Sequence, residues 1–474
     1  MIMKKKYYIG LDQGTTGTTT LLLDEKWNVV ARGYKEHTQY YPKPGWVEHD
    51  PLELWQRVME SMSMALSEGG VSAEDVACIG IDNQGETVML WDKITGAPVY
   101  NAIVWQDRRM ARYADELTTE YGELIREKIG LMADSYFSGP KIKWIIDNVD
   151  GVKEKIKEGR VLAGTLDSWL IWKMTHGKVH VTDCSTASRT MMFNIHTGKW
   201  DDEILDILGI SRSILPEICD SSMVYGYTDP LDFFGAKIPI SGSVVDQQAA
   251  LFGQACFAPG TIKCTYGTGC FMLMNTGEKP IYSSNGLLTT VAWRLNKKMT
   301  FALDGGIYIT GAATQWLRDG IKIIDSAAQT EQMAYDAKSN GGVYFVPAFA
   351  GLAAPHWDSY ARGTMVGITG GTTREHIVRA TLESTAYQVK DNLDVMNMDA
   401  SMPISILRTD GGAVANNFLM QFQADILGIP VDVPVIKDTT PLGAAQLAAL
   451  GIGEFDSIED LASHWKLAKR YEPK

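Results

Sequence analysis

A Gly/Thr turn that runs into an apolar strand occurs twice in this chain. Asp12-Gln13-Gly14-Thr15-Thr16-Gly17 leads into Thr18–Leu23, and Tyr266-Gly267-Thr268-Gly269 leads into Cys270–Asn275. Similar turns in two halves point to a duplicated domain closing on one ligand. Backbone N–H groups freed by glycines, with threonine hydroxyls, suit phosphate oxygens. Asp12 adds a carboxylate able to hold Mg²⁺, most simply through water. Each turn alone reads equally well as a polar β-turn. Together they fit a nucleotide polyphosphate, which needs donors from both walls of a cleft. At 474 residues the chain exceeds what one core usually supports, and two domains follow. The expected boundary lies near Phe257-Ala258-Pro259-Gly260, giving domains 1–256 and 257–474.

The N-terminal pattern predicts a mixed α/β sheet. Three β-rich runs ("YYIGLD", "TTLLLD", "VVARGYKEH") precede a helix that Asp50 caps, Pro51 opens, Glu53 supports in its first turn and Gly69-Gly70 stops. Leu54, Val58, Met62 and Leu66 place an apolar stripe along it. The continuously apolar run Val76–Ile81 then predicts a buried strand.

Charge narrows the partners. Lys and Arg total 44 against 57 Asp and Glu, a net charge of −13, which disfavours nucleic acid and anionic membrane as bulk partners. Six cysteines without C-x-x-C spacing predict free thiols in a reducing compartment. No apolar run approaches membrane-spanning length and "MIMKKKYYIG" is too short for a signal peptide, so a cytoplasmic protein without membrane insertion is expected.

Three further stretches carry chemistry. Asp246 sits where an apolar strand passes into "DQQAALFGQA", as a helix cap or as a general base facing a cleft, with Gln247 beside it. Gly411-Gly412 opens a helix whose backbone can lie against a flat ring, and Asn416 is placed to bond a base edge. In "GIDNQGETVMLWD", Gly85 is either a turn glycine or the mark of a ligand.

The motifs "LDQGTT", "YPKPGWVEHDP", "YNAIVWQ", "YFSGPK", "HVTDCSTASRTM", "DQQAALFGQ", "TYGTGCFMLMNTGE" and "DGGAVANNFLMQFQADILG" together resemble the FGGY family of carbohydrate kinases over nearly the whole length. The resemblance implies two actin-like ATPase (ribonuclease H-like) domains with a cleft between them. It implies ATP and Mg²⁺ as cofactors and phosphorylation of a small polyol, glycerol first. Another polyol or a ketose is the alternative, and a non-kinase actin-like ATPase a more distant one. Matched residue by residue, Thr15, Thr16, Gly17, Thr268, Gly311, Gln315, Gly412 and Asn416 fall on nucleotide positions, and Asp12 on the acid that organises Mg²⁺. Gly85, Glu86, Trp105, Tyr136, Asp246, Gln247 and Phe271 fall on the polyol pocket, with Asp246 as base. A homodimer or homotetramer fits the family.

Three departures stand out. Gly85 replaces an arginine able to grip two hydroxyls, which implies lost charged contacts and a vacated volume. Thr19 stands where an arginine often lies near the phosphates. The stretch "DPLDFFGAKIPIS" lacks the arginine of a fructose 1,6-bisphosphate loop, so no such control is expected.

Overall fold

The computed structural model describes residues 6–358 and 360–474. The chain forms two compact units, and it passes between them more than once. The first comprises Met1–Gly253, Thr290–Thr300 and Thr439–His464; the second comprises Gln254–Thr289, Phe301–Asp438 and Trp465–Lys474.

The first unit is built on a six-stranded sheet. Its strands are β1 (Tyr7–Gln13), β2 (Gly17–Leu23), β3 (Val29–Glu36), β4 (Val76–Asn83), β5 (Ser222–Tyr227) and β6 (Pro239–Val245), in the order β5-β6-β4-β1-β2-β3. β4 runs parallel to β1 and β6, while β1–β2, β2–β3 and β5–β6 pair antiparallel. Every residue of β4 is buried, as its unbroken apolar run requires. Helix α1 (Pro51–Gly69) starts where Leu52 N–H donates to Asp50 Oδ1 at 2.9 Å and stops at Gly70, whose φ of 62° is left-handed. Leu54, Val58, Met62 and Leu66 face the core.

Parallel register places chemistry at the strand ends. Asp12 lies beside Asp82, and Asn83 beside Val245, the last residue before helix α2 (Asp246–Gly253). A smaller sheet of Glu48–His49, Ala102–Ile103, Val88–Asp92 and Val161–Thr165, in that order, carries the Gly85–Glu86 turn and Trp105 at its rim.

A distant segment completes this core. The helix Thr439–Gly451 lies so close to the sheet that a β-carbon on Gly10 would fall 1.8 Å from Pro441 O, and one on Gly80 1.9 Å from Ala444 O. Only glycine permits that approach.

The other large sheet has seven strands, β7 (Ile262–Tyr266), β8 (Cys270–Gly277), β9 (Leu288–Leu295), β10 (Lys298–Ile307), β11 (Leu407–Gly411), β12 (Val431–Pro434) and β13 (Leu467–Tyr471), of which residues 290–300 count with the first unit and the rest with the second. The strand order is β9-β10-β8-β7-β11-β12-β13. The long helix α3 (Arg374–Ala400) and α4 (Asn417–Leu427) pack beside it, with Val389, Leu393, Leu419 and Met420 in the core. All six cysteines are free and buried. Among the described residues no helix is long and apolar enough to cross a membrane.

Candidate active site

In the first unit, the turn after β4 brings charged groups into a buried setting. Gly85 is not left-handed; the next residue, Glu86, takes that conformation at φ 63°. Its carboxylate accepts from Arg189 Nε at 2.6 Å, and both side chains are about 5% exposed. Burial pushes the Glu86 carboxyl up to about 7 against the pull of Arg189. Lys141 lies beneath the same turn and donates to the carbonyls of Tyr136, Phe137 (3.1 Å) and Glu86 (3.4 Å). Burial pulls the Lys141 ammonium down to about 7.

Aromatic rings stand around these charges. Trp105 and Tyr136 meet edge to face with centroids 5.7 Å apart, and the Arg189 guanidinium lies 5.8 Å from the Tyr136 ring. Trp105 Nε1 donates to Thr15 Oγ1 at 2.8 Å, so the first Gly/Thr turn is tied directly to this aromatic wall. Thr15 O accepts from Gln39 Nε2, Thr16 O accepts from the backbone N–H of His37, and Gly17 O accepts from Gly14 N. Gly17 admits no side chain, since a β-carbon there would lie 2.7 Å from both Lys35 O and the Tyr34 hydroxyl.

Asp246 begins α2, and its Oδ1 accepts from Gln247 N at 2.7 Å while Gln247 Nε2 approaches Oδ2 at 3.4 Å. The carboxylates of Glu86 and Asp82 each feel the Asp246 charge. Asp82 is fully buried, and among the described residues no N–H or hydroxyl donor reaches its oxygens. Burial first, then the Asp12 charge, pushes its carboxyl well above the usual range. Half-buried Asp12 beside this acid offers oxygen donors alone, the chemistry Mg²⁺ takes. Among the described residues there is no group of three or more His, Cys, Asp or Glu that could hold a metal ion.

The second unit holds a cavity of about 470 Å³, within the roughly 300–1,000 Å³ common for small-molecule sites. Thr268, Gly311, Gln315, Gly412 and Asn416 all line it. The 267–269 loop docks on the start of Gly311–Gln315: Gly311 N donates to Gly267 O, and Ala312 N to Thr268 O. A β-carbon on Gly311 would lie 2.4 Å from Gly267 O, so the loop sits flat only over glycine. Asn416 spends its oxygen capping α4 through Leu419 N at 3.0 Å and donates its amide to Thr330 Oγ1 at 3.1 Å. Phe271 lies on β8 of this unit, its ring 3.3 Å from where Gly306 would carry a β-carbon.

Position 85 is where sequence and structure part. The volume expected there is not empty: a β-carbon on Gly85 would lie 2.6 Å from Val245 Cγ2. An arginine is also present, supplied by position 189. At Thr19, Arg32 Nη2 from the neighbouring strand donates to the threonine hydroxyl at 3.3 Å. Arg189, Lys141, Asp82 and Val245 received no role from sequence. Arg189 and Lys141 do fall inside the motif stretches "HVTDCSTASRTM" and "YFSGPK", and charges within such stretches were the available signal.

An aspartate at a strand–helix junction in one unit and a glycine-lined cavity in the other are features that a small-molecule kinase uses. The N-terminal domain of the FGGY family of carbohydrate kinases matches residues 7–253, and the C-terminal domain of that family matches 262–452. The chain belongs to the FGGY family and is a phosphotransferase. It is 61% identical over 469 residues to glycerol kinase 2 of Thermotoga maritima, covering 99% of this chain and 94% of the relative. Glycerol kinase of Thermus thermophilus is 55% identical over 470 residues, with 99% and 95% covered. Among solved structures, Plasmodium falciparum glycerol kinase with ADP superposes with a TM-score of 0.91 at 38% identity, covering 99% of this chain and 94% of that one.

Proposed function

We propose that the protein transfers the γ-phosphoryl group of ATP to a terminal hydroxyl of glycerol, giving sn-glycerol 3-phosphate. The observation that carries this reading is the buried Glu86–Arg189 pair close to Asp246 and walled by Trp105 and Tyr136. A small polyol needs just such a site, with acceptors for its hydroxyls and flat apolar faces for its carbons. The relatives named glycerol kinase support the substrate, and the ADP-containing relative supports the nucleotide.

In this reading Glu86, held by Arg189, accepts hydrogen bonds from two neighbouring hydroxyls. Gln247 adds a further polar contact. Asp246 takes the proton of the attacking hydroxyl as its oxygen meets phosphorus, and the electron pair of the breaking bond leaves with ADP. The adenosine occupies the second-unit cavity, which Gly311, Gln315, Gly412 and Asn416 line. Thr15, Thr16 and Gly17 in the first unit, and Thr268 in the second, offer donors suited to phosphate oxygens. Asp12 would hold Mg²⁺, by way of water, and the ion would supply positive charge to offset that of the phosphates. A larger polyol or a ketose needs an open wall at position 85, and Val245 stands in that space.

The test is ADP release measured over three- to six-carbon polyols and ketoses. Glycerol is expected to give the highest kcat/KM, and a larger substrate winning on that measure overturns the assignment. Asp246→Asn should keep ATP binding and lower kcat by about 10²–10⁴-fold, the range of a lost general base. Near-normal turnover in that variant removes Asp246 from the role.

A further inference from the structure

Position 85 carries glycine although its backbone does not ask for one. Its φ lies outside the left-handed region, which the turn assigns to Glu86 instead. What excludes a side chain is a single neighbour. Val245 Cγ2 stands 2.6 Å from where a β-carbon would be, while the next atoms, Arg189 Cγ and Cβ, are at 3.8 and 4.0 Å.

Val245 has little freedom to give way. It is 2% exposed, its N–H donates to Ser185 Oγ at 3.0 Å, and it pairs with Asn83 at the end of β6. Its β-branched side chain also has few alternative rotamers. The residue that follows it is Asp246. A side chain at 85 therefore presses on the strand end that aims the base. The cation that position 85 lacks comes from Arg189, whose stem passes the same glycine and whose Nε meets Glu86 at 2.6 Å.

We propose that Val245 and Gly85 form one steric pair that sets substrate size at this wall and positions Asp246, with Arg189 supplying the guanidinium through Glu86. Val245 is a positioning and specificity residue here. The inference rests on the polyol site proposed above and deepens it. One consequence is that an arginine at 85 does not by itself improve glycerol binding, because it must first displace Val245.

The experiment compares four proteins: the unaltered enzyme, Gly85→Ala, Val245→Ala and the double variant. For each, thermal midpoint, kcat, and KM for glycerol, erythritol and ATP are measured. Gly85→Ala is expected to lower kcat for glycerol about tenfold or more with KM for ATP unchanged, and to lower the midpoint. Val245→Ala in that background is expected to restore most of both. Val245→Ala alone should raise the erythritol-to-glycerol ratio of kcat/KM about tenfold, the discrimination typical of roughly one carbon in a pocket. Additive losses in the double variant overturn the proposal. So does a Gly85→Ala enzyme with unaltered kcat, or an unchanged erythritol ratio. A Gly85→Ala chain that fails to fold while the double variant folds supports the pairing, and failure of both overturns it. If the unaltered enzyme does not phosphorylate glycerol, the substrate reading fails. Recovery of the thermal midpoint in the double variant still decides whether the two positions are paired.

Discussion

At the scale of single residues, burial makes the Asp82 carboxyl sensitive to pH. The side chain is fully buried, among the described residues no N–H or hydroxyl donor reaches its oxygens, and the Asp12 carboxyl beside it adds its charge and a shared hydrogen bond to burial in raising the Asp82 carboxyl. A carboxyl raised in the fold and ordinary in the unfolded chain takes up a proton on folding. Its contribution to stability is full below the unfolded value near 3.9 and is lost as pH rises towards the folded one. Asp82→Asn removes that slope. The unaltered protein is expected to lose more thermal stability between pH 5 and pH 8 than the variant does, read by calorimetry on both. Equal losses would show that Asp82 is ionised in the fold. This acid was invisible as a special residue in sequence, because "IGIDNQ" gives no sign that the aspartate is enclosed on all sides. Asp246 was legible as the acid that opens a helix directly after an apolar strand, which is where it lies, while its role as base came from the family resemblance. Arg189 and Lys141 were not, because a charged side chain within a motif reads as solvated until the packing around it is known.

Elements were easier to read than the contacts between them. The run Val76–Ile81 became a strand buried on both faces, and Asp50, Pro51 and Gly70 bounded α1 as their cap chemistry demands. What periodicity did not convey is which glycines serve approach and which serve turns. Gly80 belongs to the first kind, its would-be β-carbon 1.9 Å from Ala444 O. Gly80→Ala must push the helix Thr439–Gly451 away from the sheet. It is expected to cost about 1–3 kcal/mol or more, the range of overpacked cores. Gly122 is the contrast: it sits within the helix Ala111–Ile129, and a β-carbon there meets only Thr118 Cγ2 at 3.7 Å. Gly122→Ala should stabilise by roughly 0.5–1 kcal/mol through helix propensity. Urea unfolding of both variants checks the pair, and a neutral Gly80→Ala would mean that the helix is not held at this distance.

At the scale of the whole chain, the division into units has a consequence for how the protein is cut. Residues 1–253 hold the six-stranded sheet but lack the helix Thr439–Gly451, which is apolar almost all round and buries Leu442, Ala444, Leu447 and Ala448. They also lack Thr290–Thr300, which brings Trp293 against Phe252 at 5.2 Å and Arg294 against Asp220. A sheet face shaped by Gly10, Gly80 and Gly242 to receive a helix would then lie open to water. Fragment 1–253 is therefore expected to bind ANS, to lose near-ultraviolet circular dichroism and to melt without a sharp transition. The repair is simple, because Gly253 already touches the missing segment: a β-carbon there would lie 2.0 Å from Thr439 O. Joining 439–464 to residue 253 through a short Gly/Ser linker should restore a cooperative transition and abolish ANS binding. A cooperative, ANS-silent fragment 1–253 would show that the sheet closes without its distant helix. Failure of the linked form would place the deficit in Thr290–Thr300 instead, a result that adding this strand segment would check directly.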